Sequence, residues 1–230
     1  MKTSQEILSE VESILALKWE TRKGEDVPEP EDVKLSNDAV LLNATVLYAD
    51  MRESTALVNN YKNWFAAEIY KSYLISACHI IKNNGGIITA FDGDRVMAVF
   101  VGNLKNSSAA KCALQINFIV AGINKAVKKK YPDTSYTLSQ TMGIDTGPLF
   151  VARTGIRKSN DLVWVGRPAN YAAKMCNITS SSSVTITADV FNVLPEETKN
   201  GGNPKQCMWS KIQWQEMGIV LYQSNWWWKF

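Results

Sequence analysis

Two rhythms of apolar and polar positions run through the middle of the chain. Ala44-Thr45-Val46-Leu47-Tyr48-Ala49 is a β-rich run that stops at Asp50. A long helical stretch follows, with Ser54 or Thr55 as N-cap and Phe65, Ile69, Tyr73, Ala77 and Ile80 at helical spacing. Asn83-Asn84-Gly85-Gly86 ends it. Residues 87–91 and 95–101 are strand-like and flank Asp92-Gly93-Asp94, a hairpin signal. A second helix is expected from Ser107 or Ser108 to Lys128. The run Lys128-Lys129-Lys130 sits at its end, where cations suit the helix dipole, and reads as a solvated helix end. Strands are expected at 136–144 and 149–152, joined through Asp145-Thr146-Gly147-Pro148. A polar loop at 154–160 then leads to a short strand at 162–165 and a helix opening near Arg167-Pro168.

The order β-α-β-β-α-β predicts an α+β fold of the ferredoxin-like kind, a mostly antiparallel sheet with helices packed on one face. This domain is expected to span 39–190. Before it, residues 1–38 hold a helix with Ile7, Val11, Ile14, Leu15 and Leu17 at its apolar positions, then an acidic, proline-containing linker. That helix is either a docking or dimer-forming arm or a helix packed on its own domain. After the domain, 191–230 forms a strand-like extension ending in Trp226-Trp227-Trp228-Lys229-Phe230. Terminal aromatics can anchor at a membrane interface, but burying large area in a core or dimer contact is the favoured reading.

Composition narrows the class. Of 230 residues, 46% are hydrophobic and 20% charged, which suits a globular chain and excludes a disordered one. The net charge of +3 is too slight for a general nucleic-acid binder. No apolar run approaches the roughly 20 residues that span a bilayer, and the first residues lack the apolar core of a secretory signal. A cytoplasmic protein without stable membrane insertion is expected. Cys78, Cys112, Cys176 and Cys207 form no C-x-x-C pair, and the single histidine, His79, lies in an apolar helical pattern. A structural zinc and a histidine-dependent nucleophile are therefore disfavoured, and His79 is expected to pack within its helix. Chemistry built from carboxylates and a metal remains.

Asp50 closes the first strand and Asp94 closes the hairpin turn. In the expected topology their strands are neighbours, so both carboxylates meet at one edge of the sheet. Hard oxygen donors there suit Mg²⁺ or Mn²⁺, and a nucleoside triphosphate brings further oxygens. Met51-Arg52-Glu53-Ser54 lies between strand end and helix start, where free backbone N–H groups can cradle phosphate. Singly, an aspartate at a strand end is more often a turn or cap residue. The weight lies in the combination.

That combination resembles the catalytic domain of class III nucleotidyl cyclases. Four blocks carry the resemblance in the family's order: 46–55, 91–100, Gly143-Ile144-Asp145-Thr146-Gly147-Pro148, and 165–175. The resemblance implies that Asp50 and Asp94 hold two Mn²⁺ or Mg²⁺ ions per active site. It makes Asn170 the residue that positions the ribose and Lys174 the one that meets the triphosphate in the transition state. Residues four apart on a helix share a face, which suits that pair. A homodimer is implied, with the aspartates of one chain facing the asparagine and cation of the other. The implied reaction forms a 3′,5′-cyclic monophosphate and releases pyrophosphate.

Several positions depart from the family pattern. Lys174 stands where arginine is usual and lacks its planar fork. Arg52, Arg157 or Lys158 are candidates to compensate. Arg167 stands where an acidic residue is usual. Ala90 and Val163 occupy the base-selecting positions and offer no side-chain hydrogen bond to a purine, so neither ATP nor GTP is read in the usual way. Three readings stay open: a pyrimidine cyclase, an adenylyl or guanylyl cyclase with an atypical pocket, and a catalytically silent nucleotide-binding module. The short chain and its tail resemble the bacterial pyrimidine cyclases of Pycsar anti-phage systems. That resemblance implies UTP, slightly ahead of CTP, and a cyclic product that acts on a separate effector protein.

Overall fold

The computed structural model describes residues 2–230. Helix α1 (Ser4–Ala16) is followed by strand β1 (Glu20–Lys23), a 3₁₀ turn (Pro30–Asp32) and the long strand β2 (Asp38–Met51). Then come α2 (Ser54–Asn60), α3 (Asn63–Asn83), β3 (Ile87–Asp92), β4 (Arg95–Phe100), α4 (Lys105–Lys130), β5 (Gln140–Ile156) and β6 (Ser159–Val165). Helix α5 (Arg167–Met175) and strand β7 (Val184–Thr187) precede two short helices, α6 (Ala188–Asn192) and α7 (Glu196–Lys199). The pair β8 (Asn200–Gly201) and β9 (Gln206–Cys207) and the hairpin β10 (Ser210–Trp214) and β11 (Ile219–Ser224) complete the order.

The main sheet runs β10-β11-β7-β5-β2-β4-β3, with β1 beside β2 and β6 beside β5. Its segment β5-β2-β4-β3 is antiparallel at every step, as the βαββαβ pattern predicts. Alternation along β2 sends Leu47, Ala49 and Met51 into a core beneath α3 and α4. Val40, Leu42, Ala44 and Val46 point to the other face, where Ala169 and Ala172 of α5 cover them. Helices therefore pack on both faces of the sheet, not on one.

Several boundaries differ from the sequence reading for identifiable reasons. The long helix after Asp50 is two helices, because the chain breaks at Tyr61 and turns its ring onto Phe65 (5.1 Å) and Tyr136 (5.5 Å). The N-cap of α2 is Glu53 in the left-handed region (φ +56°), not Ser54 or Thr55. Helix α4 begins at Lys105. The strands expected at 136–144 and 149–152 are one strand, β5, which passes straight through Pro148. On that side the ladder to β7 stops at Ile144 and the ladder to β6 starts at Phe150, so a residue without an N–H is tolerated between them. The loop expected at 154–160 is the tip of the β5–β6 hairpin.

The tryptophan tail lies along α4. The Trp228 N–H donates to the Leu114 carbonyl (3.0 Å), Asn117 donates to the Trp226 carbonyl (2.8 Å), and Trp227 packs on Phe118 at 5.5 Å. His79 is exposed on α3, contrary to the expectation that it packs within the helix. Among the described residues no helix is long and apolar enough to cross a membrane.

Candidate active site

The site begins where β2 ends. Ala49 pairs with Val96 across the β2–β4 ladder, and the next step sets Asp50 against Arg95, with Asp94 one residue further in the turn. Gly93 makes that turn with φ +61°, a conformation open to glycine at little cost. Asp50 is 8% exposed. Its Oδ2 accepts from Arg95 Nε (3.0 Å) and Nη2 (2.7 Å), and the guanidinium lies 5.9 Å from the centre of the Tyr48 ring. Burial raises the Asp50 carboxyl above the usual carboxylate range, Arg95 pulls it back, and the Asp94 charge pushes it up again. A buried carboxylate, Asp50, and a half-buried one, Asp94, thus share this corner with one cation. A divalent metal fits this donor set: the oxygens are hard and the corner keeps a surplus of negative charge. Among the described residues no group of three or more His, Cys, Asp or Glu is placed to hold a metal, so further coordination would come from phosphate oxygens, carbonyls or water.

Residues 51–54 are fixed by their backbone and by one arginine. The Arg52 N–H donates to the Ser139 carbonyl (2.9 Å), and its guanidinium reaches across to the carbonyls of Ser180 and Ser182. Met51 is buried in the core under α3, so only its backbone faces the strand end. Ser54 opens α2 immediately after the left-handed Glu53.

Helix α5 holds the second group. It lies so close to β5 that a Cβ added at Gly143 would sit 2.0 Å from the Ala172 carbonyl oxygen. A Cβ at Gly166 would meet the Pro148 carbonyl at 2.8 Å. Arg167 explains its departure from the family pattern: it donates to both oxygens of the fully buried Asp145 (3.1 and 3.3 Å) and to Asp189 (2.5 Å). Asp145 also accepts from the Thr187 hydroxyl at 2.6 Å. Burial raises the Asp145 carboxyl, while Thr187 and Arg167 draw it down. Asn170 and Lys174 project from the exposed side of α5. Lys174 Nζ lies 2.7 Å from Glu216 Oε1, in the turn between β10 and β11. Trp214 against Tyr171 (5.5 Å) and Leu221 beside Met175 hold that hairpin to α5.

The structure therefore gathers Asp50, Met51, Arg52, Ser54 and Asp94 around one strand end and sets Asn170 and Lys174 apart on α5. Among the described residues no hydrogen bond or ion pair joins the two groups within the chain. Ala90 is exposed on β3, just past a bulge between Ile88 and Ala90, and Val163 is exposed on β6 opposite Ala152. Sequence reasoning missed Arg95 and Glu216. Arg95 had a signal, a cation directly after the turn aspartate. Glu216, 42 residues from its partner, had none.

Residues 39–208 match the family model described as the adenylate and guanylate cyclase catalytic domain. The chain belongs to this cyclase family. It is 50% identical over 214 residues to a uridylate cyclase of Burkholderia cepacia, covering 92% of each chain. It is 46% identical over 214 residues to a uridylate cyclase of Xanthomonas perforans, covering 92% of this chain and 91% of that one. The crystal structure of the guanylyl cyclase Cya2 superposes with a TM-score of 0.67 at 18% identity, over 80% of this chain and 92% of that one, a likeness of fold. Class III cyclases generally use divalent metal ions, and they typically dimerise.

Proposed function

We propose that this cyclase converts UTP to 3′,5′-cyclic UMP and pyrophosphate, as a homodimer whose two active sites are each shared between chains. One observation carries the reading: a buried Asp50 with the Asp94 charge beside it at a strand end, in a chain whose relatives at 46% and 50% identity are named uridylate cyclase. In the reaction the ribose 3′-oxygen attacks the α-phosphorus and loses its proton to solvent. The bond to the β-phosphate oxygen breaks, and pyrophosphate leaves with the electron pair. Two Mg²⁺ or Mn²⁺ ions held by Asp50 and Asp94 would supply Lewis-acid activation of the attacking oxygen and charge neutralisation on the phosphates.

The chain's own residues do the rest. Asn170 of one protomer orients the ribose. Lys174 leaves Glu216 and offsets charge developing on the α-phosphate. Arg52, engaged with two carbonyls, braces the turn 51–54 so that its backbone and Ser54 face the phosphates. Ala90 and Val163 line the base with methyl groups, so pyrimidine selection rests on pocket size and other polar groups. The cyclic product is a second messenger for a separate effector protein in anti-phage defence. A silent nucleotide-binding module is the second reading, favoured by the Lys174–Glu216 pair, which already satisfies the cation.

Purified protein incubated separately with UTP, CTP, ATP and GTP in Mn²⁺ tests the proposal. Cyclic UMP as main product is the expected result. Main product from another nucleotide overturns the substrate assignment. No product from any of them, in a folded dimer, supports the silent module.

A further inference from the structure

Helix α1 buries none of its own residues. Ile7, Val11, Ile14 and Leu15 are 51%, 44%, 56% and 79% exposed. The helix is nonetheless held in place. Thr3 and Glu6 close its N-terminus as a capping box, and the Asn37 side chain donates to the carbonyls of Ile14 (2.8 Å) and Leu17 (2.9 Å) at its other end. Just beyond, Trp19 packs edge-on against Phe150 at 4.9 Å. A helix of 13 residues standing alone is marginal in water, and a contiguous exposed apolar face marks an interaction site. This arm precedes the family match, which starts at residue 39.

A matching surface lies elsewhere on the chain. Lys71, Ile75, Cys78 and Lys82 are spaced four, three and four apart on α3 and so form one stripe. Beside it a groove of about 810 Å³ runs between α3 and the edge strand β3, where Ile87 and Phe91 are also exposed. No α1 residue lines this groove.

We propose that the groove receives α1 of a second copy of this chain, each protomer lending its helix to the other around a two-fold axis. The spacing fits: Ile7, Val11 and Ile14 repeat at four and three, the pattern that interleaves with the α3 stripe in shallow-angle helix packing. The charges fit as well. Residues 3–17 contain Glu6, Glu10 (paired with Lys2) and Glu12 and no lysine or arginine, whereas Lys71 and Lys82 lie on the α3 stripe, Lys82 lines the groove, and Glu29 is the one acid among its lining residues. Two α1 helices paired with each other would instead bring like charges together. The chain's own α1 is pinned at Asn37 and against Phe150 of β5, with β2 and β4 between it and the groove. The assignment does not depend on the substrate.

Val11→Glu with Ile14→Glu changes only exposed positions, so the body should keep its unfolding temperature. In a Cys207→Ser background, sedimentation velocity should show the dimer Kd rising at least tenfold. Iodoacetamide should then modify Cys78 several-fold faster than in the parent dimer. An unchanged dimer Kd, or a weaker dimer with unchanged Cys78 reactivity, overturns the proposal. For the occupant, a chain carrying Val11→Cys, Cys78→Ser and Cys207→Ser is mixed with a size-tagged Cys207→Ser chain and oxidised. A mixed-mass disulfide through Cys78 is expected. A disulfide between two Val11→Cys helices as the main product overturns it. So does an intrachain link as the main product in a chain carrying Val11→Cys with Cys78 retained.

Discussion

Replacing Lys174 separates catalysis from stability. Among the described residues its ammonium pairs with Glu216 alone, at 2.7 Å, and the two side chains are 50% and 63% exposed. An exposed pair of this kind is worth about 0.2–1 kcal/mol. Lys174→Ala should therefore lower the unfolding temperature by no more than about 2–4 °C, the shift that 1 kcal/mol produces in a domain of this size. The catalytic loss is of another order. Removing one preorganised group that stabilises developing charge costs about 2.7–4 kcal/mol, or 10²–10³ in kcat. Lys174→Arg keeps the charge and should retain more than a tenth of the activity. Glu216→Gln removes only the resting partner, so kcat should stay within about fivefold, the equivalent of 1 kcal/mol. The assay is the initial rate of cyclic UMP formation at saturating UTP and Mn²⁺, with thermal unfolding run on the same samples. A Lys174→Ala enzyme within tenfold of the parent, or one whose loss of rate follows its loss of folded protein, refutes the assigned role.

Further outcomes follow from the same geometry. Asp50→Asn and Asp94→Asn should each lower turnover by about 10³ or more, since metal charge stabilisation is worth several kcal/mol, and calorimetry should show weakened Mn²⁺ binding to a folded dimer; wild-type Mn²⁺ affinity would contradict the metal assignment. Gly143→Ala should destabilise the chain by about 1–3 kcal/mol, as overpacked cores do, because its Cβ would meet the Ala172 carbonyl at 2.0 Å; an unchanged chemical denaturation midpoint would show that α5 can move away. Burial pulls the Asp38 carboxyl up, but the Lys34 N–H (2.8 Å) and Arg22 (2.6 Å) outweigh it and hold it below its ordinary value of 3.8. Its contribution to stability is thus complete above pH 3.8 and fades as pH falls through its lower folded-state value. Asp38→Asn should accordingly lower the unfolding temperature at pH 7 by more than at pH 3, and an equal loss at both would contradict the ion-pair account.

The core of the fold was legible because β2, β3, β4 and α3 carry clean periodicities and the Gly93 turn marks its own hairpin. What escaped depends on partners distant in sequence. Pro148 looks like a strand break until the positions of β6 and β7 show that nothing pairs with its missing N–H. Tyr61 breaks a helix without glycine or proline, because its ring packs on Phe65 and on Tyr136 of a later segment. Of the proposed site, Asp50 and Asp94 were suggested by strand ends and turn chemistry, and Asn170 and Lys174 by family blocks. Arg167 looked like an anomaly until buried Asp145 appeared beneath it, and the exposed face of His79 was masked by the apolar residues next to it in sequence, although Ser76, Lys82 and Asn83, three and four positions away on the helix, are polar.

Mixing two inactive variants tests the shared site most directly. In the proposed arrangement, Asp94→Ala and Asn170→Ala chains each lack one half of every site in their own dimers. A mixed dimer pairs the intact aspartates of one chain with the intact asparagine of the other at one of its two sites. With equal amounts and random exchange, half the dimers are mixed, so about a quarter of wild-type activity should return. If mixed dimers are demonstrated by native mass spectrometry and activity stays at the level of the separate variants, the two groups do not meet across the interface.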